Sequence, residues 1–136
     1  MPQIIQPPDL AKARGYSNGL AYPAGQLLFV AGQIGWDAEC KLVSTAFAAQ
    51  YDQALANVMS VVREAGAEAT SVGRMTVYVT DKKAYLAVLK ELGAIHKRHM
   101  GRHYPAMSLV EVKDLLEEGA LVEIEATAVI PAKEVQ

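Results

Sequence analysis

Three acidic side chains in the last third of the chain carry the first chemical signal. In Leu121-Val122-Glu123-Ile124-Glu125-Ala126-Thr127-Ala128 polar and apolar residues alternate. In a strand, Glu123, Glu125 and Thr127 therefore share one face, and Val122, Ile124, Ala126 and Ala128 the other. A second candidate strand, Ala106 to Val112, sets Met107, Leu109 and Glu111 on one face and Ser108, Val110 and Val112 on the other. If these strands are neighbours, three carboxylates come close together. Carboxylates crowded in a partly buried site raise one another's pKa, which a general acid or base working near neutral pH requires. The competing reading is a solvated face of an antiparallel sheet.

Other reactive residue types offer less. His96, His99 and His103 lie close in sequence, and the i, i+3 pair His96/His99 can share a helix face. Their stretch contains no carboxylate, and Lys97, Arg98 and Arg102 are interleaved, cations that repel a metal ion. Structural or surface histidines are expected, and no metal is assigned. The glycines around Gly32 and Gly35 form neither GxGxxG nor a Walker loop, and Ser108 lacks a GxSxG context. The single cysteine, Cys40, has no partner for an internal disulfide, so an idle or buried thiol in a reduced intracellular protein is expected.

The elements that must position these groups follow from periodicity. Leu27 to Ala31 is a continuous apolar run preceded by Gly19 and by Tyr22-Pro23-Ala24-Gly25, which suggests a hairpin. Phe47, Tyr51, Ala54, Leu55, Val58, Val62 and Ala65 recur at helical spacing from about Ser44, with Gln50, Gln53 and Asn57 on other sides and Gly66 as a C-cap. Arg74 to Val79 alternates and puts Met75, Val77 and Val79 on one strand face. Asp81 then caps a second helix, with Tyr85, Val88, Leu89, Leu92 and Ile95 on one stripe, ending near Met100-Gly101. Strands Ala106 to Val112 and Leu121 to Ile130 complete the order ββαβαββ. Each helix has one apolar stripe, so both cover the same face of an α+β sheet. The sheet's other face needs a partner, since Leu27 to Ala31 is apolar at successive positions and no third layer remains. Oligomerisation is the economical answer.

Composition narrows the class. With 136 residues, 51% of them hydrophobic, the chain reads as one domain over 1–136 that needs no disulfide to hold a core. Thirteen basic against fifteen acidic side chains argue against a nucleic-acid partner, because phosphate binding needs a basic excess on one face. The N-terminus resembles no secretory signal and no segment approaches a membrane span, so a cytoplasmic protein with no membrane partner is expected.

Several of these segments together resemble the signature of the Rid family, also called YjgF or endoribonuclease L-PSP. Gly15-Tyr16-Ser17-Asn18-Gly19 is similar to its GPYSxA-type motif, Phe29-Val30-Ala31-Gly32-Gln33-Ile34 to its SGQ strand, and Gln53-Ala54-Leu55-Ala56-Asn57-Val58 to its QAxxxLxNV helix. Tyr104-Pro105-Ala106 with Val110-Glu111-Val112, followed by Val122-Glu123-Ile124-Glu125-Ala126, resembles the closing PARxxVEV and VEIEA pair. The resemblance implies a chorismate-mutase-like subunit, a homotrimer with a small-molecule cleft at each subunit interface, and cofactor-free hydrolysis of enamines and imines to ketones and ammonia. It further implies Glu123 as the group that orients the attacking water, with Tyr16, Gln33 and the position of Met107 at the substrate. Simpler roles for two of these are a Tyr16 ring packed on its own turn and a Gln33 side chain bonding to backbone at a strand end. Met107 stands where the family has the arginine that forks onto a substrate carboxylate. Losing a desolvated pair of that kind costs on the order of 2–5 kcal/mol of binding. Three accounts follow: an uncharged or differently shaped substrate with Met107 as an apolar contact, another cation such as Arg14 or Arg102, or ligand binding without turnover.

Overall fold

The computed structural model describes residues 2–132. The first helical periodicity yields α1, Phe47–Glu64, whose buried side includes Phe47, Tyr51, Ala54, Leu55, Val58 and Val62. It ends as expected at Gly66, whose φ of 84° lets its N–H reach the Arg63 carbonyl while the Ala67 N–H reaches that of Val62. Gln50 departs from the expectation. It is wholly buried, its Nε2 donating to the carbonyls of Ser44 (2.9 Å) and Gly119 (3.0 Å) and its Oε1 accepting from the Leu121 N–H (2.8 Å). A long amide with three backbone partners belongs in a core in a way that composition does not reveal.

Six strands build two sheets. β1 (Gln3–Ile5) pairs with β2 (Gly19–Ala21) in a small antiparallel ribbon. β3 (Gly25–Ile34), β4 (Val72–Val79), β5 (Ala106–Glu111) and β6 (Val122–Pro131) form the main sheet in the order β3-β6-β4-β5. Two expectations are thereby corrected. Gly19–Ala21 does not form a hairpin with β3, because its partner is β1. Nor are β5 and β6 neighbours: β4 lies between them, parallel to β5 and antiparallel to β6. Glu111 follows Met107 and Leu109 onto the other face from Glu123 and Glu125, and its Oε1 accepts from the Lys82 N–H (2.9 Å), so the cluster of three carboxylates does not form.

The alternation in β4 and β6 is borne out, with Met75, Val77, Val79, Val122, Ile124, Ala126 and Ala128 all buried beneath the helices. The second helix is interrupted. Asp81 caps α2 (Lys82–Ala87) by accepting from the Lys83 N–H, but Val88, at φ −126° and ψ 27°, breaks the ladder before α3 (Leu89–Met100). The expected stripe is consequently split: Leu92 and Ile95 are buried in the core, Tyr85 and Val88 pack against it half-buried, and Leu89 is exposed. Both helical stretches lie on one face of the sheet. On the other, Leu27 is 60% and Phe29 75% exposed, so a strand apolar on both sides is covered on only one within a single chain. No helix among the described residues is long and apolar enough to cross a membrane.

Candidate functional site

A short loop delivers the first two groups. Gly15 adopts φ 76°, a left-handed turn that any other residue except Asn or Asp enters at a cost. Two residues on, Ser17 is buried and pinned to the start of β5, its N–H donating to the Pro105 carbonyl (3.0 Å) and its hydroxyl to that of Tyr104 (2.5 Å). With both ends of the turn fixed, Arg14 and Tyr16 line a cleft of about 470 Å³ between β5 and the α2–α3 pair. Met107 and Leu109 form the sheet side of this cleft, and Tyr85, Leu89, Gly93 and His96 the helix side. Tyr85 packs against the core, edge-on to Phe47, and also lines this cleft, together with the exposed Leu89.

The polar groups of the cleft are mostly neutral. Burial holds the His96 imidazole below its ordinary 6.5, partly opposed by the bond from its Nε2–H to the His103 carbonyl (2.8 Å). That bond fixes the tautomer, because a carbonyl only accepts. The ring stacks on Tyr104 with centroids 4.8 Å apart and planes 2° from parallel. Burial also raises the phenols of Tyr51 and Tyr85, which stay protonated. Among the described residues, the permanent cation lining the cleft is Arg14, and no carboxylate lines it. Arg102 borders a separate hollow with Met100 and His103.

Of the four residues singled out from sequence, Tyr16 and Met107 share this cleft, whereas Glu123 and Gln33 lie elsewhere in the same chain. The register decides it. Met107 pairs with Met75, which is buried toward the helices; Glu123 pairs with Tyr78, three residues on and hence on the opposite face. Glu123 lies against Gly32, so closely that a Cβ on Gly32 would come within 2.6 Å of its Oε2. Its strand-mate Glu125 accepts a hydrogen bond from the Tyr78 hydroxyl (2.6 Å), whereas no hydrogen bond or ion pair among the described residues engages the Glu123 carboxylate. Gln33 adjoins Gly32 but turns toward the flank of α1, near Trp36 and Asn57, and its Nε2 donates to the Ala31 carbonyl (3.1 Å). Within one chain Glu123 and Met107 therefore lie on opposite faces of the sheet.

Each of the three histidines uses its Nε2 on a protein acceptor. His96 bonds the His103 carbonyl, His103 bonds the Val72 carbonyl (2.7 Å), and His99 bonds Asp52 Oδ1 (2.6 Å). Arg98 forks onto the same carboxylate at 2.9 and 3.0 Å, ties α3 to α1, and holds the Asp52 carboxyl below its usual range. Sequence reasoning missed His96, Tyr104, Tyr85 and Gly93 as cleft residues. A glycine inside an amphipathic helix was the available signal.

Comparison with known proteins bears on the same segments. The family model described as Endoribonuclease L-PSP matches residues 7–130. A human 2-iminobutanoate/2-iminopropanoate deaminase is 32% identical over 103 residues, covering 75% of this chain and 72% of that protein. The crystal structure of a conserved Rid-family protein from Yersinia pestis, itself of unknown function, superposes with a TM-score of 0.83 at 32% identity, covering 95% of this chain and 98% of that one. TdcF of E. coli, solved with bound serine, gives 0.69 at 27% identity, covering 95% and 99%. The α+β subunit, its cleft-bearing strands and the sequence match agree: the chain belongs to the Rid, or endoribonuclease L-PSP, family.

Proposed function

We propose that the protein hydrolyses a reactive imine or enamine, other than the small 2-imino acids usual for the family, in a cleft between copies of a homotrimer. The observation that carries this reading is the unengaged Glu123 carboxylate beside Gly32. A carboxylate without a protein partner can accept a proton from water as the water oxygen attacks the imine carbon. The resulting carbinolamine then expels ammonia and leaves the ketone, so one water is consumed per ammonia released. No cofactor takes part in these steps. Tyr16 and Met107 of one copy face Glu123 of the next, with Gln33 close to Gly32 on that second copy. The exposed Leu27 and Phe29 supply apolar area for the association, and the deaminase activity of the human relative supports the reaction class.

A second reading rests on the lining of the cleft, which contains no carboxylate among the described residues. If assembly does not bring Glu123 to it, the cleft binds a ligand without turnover. Imines generated in place by an amino-acid oxidase or a threonine dehydratase, with ketone and ammonia release followed, separate the two. The unmodified protein is expected to handle 2-iminobutanoate poorly, and a Met107→Arg variant to improve on it. Ordinary family-level turnover of 2-iminobutanoate by the unmodified protein refutes the substrate assignment. No turnover of any imine by either protein refutes the hydrolase and favours the binding protein.

A further inference from the structure

We infer that the cleft selects a carboxylate ligand with a large apolar side chain, Arg14 holding the carboxylate and Gly93 making room for the side chain. Four glycines have an open Cβ position, with no atom within 4 Å: Gly15, Gly66, Gly93 and Gly101. Three of them have positive φ, which by itself accounts for glycine; Gly93 does not. It lies inside α3, where glycine is less favourable than alanine, and no close packing excludes a methyl group. What glycine provides at this position is space, and the space opens into the cleft. Leu89, Leu92 and Leu109 line the same volume, a surface for an aliphatic or aromatic group and not for a two-carbon side chain.

Arg14 supplies the other half. It lines the cleft with Tyr16 on a turn fixed by Gly15 and Ser17, and it makes no ion pair with any described residue. A single guanidinium presents one fork, which matches one carboxylate. Reaching from the loop and not from β5, it meets the anion at a different place from a side chain at Met107. This deepens the proposed function by naming the substrate class, but the binding claim does not depend on turnover.

Calorimetry on the intact protein tests it with three ketones: phenylpyruvate, which carries ring and carboxylate; phenylacetone, with a methyl group for the carboxylate; and 2-oxobutanoate, with a small side chain. Phenylpyruvate is expected to bind at least tenfold tighter than either. Arg14→Gln should lose at least tenfold for phenylpyruvate and leave phenylacetone unchanged, with Arg14→Lys intermediate. Gly93→Leu should lose at least tenfold for phenylpyruvate and leave 2-oxobutanoate within twofold, without lowering the melting temperature or the solution mass. Equal binding of phenylpyruvate and phenylacetone overturns the role of Arg14. Equal binding of phenylpyruvate and 2-oxobutanoate overturns that of Gly93, and so does loss of the oligomer in Gly93→Leu, which would mean that a second copy fills the space. Failure of all three to bind overturns the inference entirely. Tight phenylpyruvate binding with no turnover of the imine made by oxidising phenylalanine leaves the inference standing and removes the hydrolase.

Discussion

Gly32→Ala is a displacement experiment on Glu123 that leaves the carboxylate itself intact. The added Cβ would meet Oε2 at 2.6 Å, Cδ at 2.7 Å and Cγ at 2.9 Å, all atoms of one flexible side chain. Restoring ordinary contact at about 3.4 Å therefore moves the carboxylate by roughly 0.8 Å. Gly32 is exposed and lacks positive φ, so the backbone tolerates alanine and stability should change by no more than about 1 kcal/mol. A misplacement near 1 Å costs up to about 100-fold in rate, so kcat/KM for imine hydrolysis should fall roughly 10- to 100-fold, equivalent to about 1.4–2.7 kcal/mol of transition-state stabilisation. The assay follows ammonia from imines made by an amino-acid oxidase, with Glu123→Gln measured alongside and urea unfolding reporting the fold. If Glu123→Gln is inactive but Gly32→Ala stays within twofold of the parent, the position of the carboxylate is not what matters. If Glu123→Gln remains active, Glu123 has no role in the chemistry.

The remaining expectations concern the scaffold. Gln50→Leu removes three bonds to backbone groups at once, and at about 1 kcal/mol each the variant should lose about 3 kcal/mol in urea unfolding; a loss under 1 kcal/mol would mean that water replaces the amide. His96 titrates below 6.5 in the folded protein, so the unfolded chain takes up the proton first as pH falls. Its contribution is complete above pH 6.5 and is lost as pH drops through the lower folded value; His96→Phe should flatten that slope, and an unchanged slope would assign the acid sensitivity to other groups. Asp52 acts in a separate window, losing its contribution only as pH falls below its ordinary 3.8. Phe29→Glu changes a side chain that is 75% exposed in the single chain, so it should fold normally by circular dichroism but dissociate the proposed homotrimer, lowering the solution mass toward one times 14.6 kDa, whereas an unchanged mass would place the subunit contact elsewhere.

Local periodicity made much of the architecture legible. The buried faces of α1, β4 and β6 and the caps at Asp81 and Gly66 follow from spacing and turn chemistry within a few residues. Strand partners do not, because pairing is decided by groups far apart in sequence. That is why β5 and β6, sequential in the chain, were expected side by side when β4 separates them, and why Glu111 was expected near Glu123. Gln50 was hidden for a related reason: its backbone partners come from segments on both sides of it, including Gly119 and Leu121. The candidate site was legible in part. Alternation identified the face of Glu123 and motif resemblance identified Tyr16 and Met107, but which residues line a cavity depends on the break at Val88 and the turn at Gly15, both properties of backbone geometry.

The strand order carries a consequence for how the chain is made. β6 sits between β3 and β4, yet it is the last of the described strands to leave the ribosome. Its register joins Gly25 to Pro131, closing a loop of roughly one hundred residues, and such long closures slow folding. Until Val122 emerges, β3 has no neighbour in the main sheet and β4 has only β5, so apolar strand edges stay open during most of synthesis. A nascent chain stalled before Val122 is a natural client for a chaperone, and a nonsense change there should yield aggregate and not a smaller folded protein. Quality control of this protein therefore rests on the same strand that carries Glu123, so a chain that has completed its sheet has also placed that carboxylate.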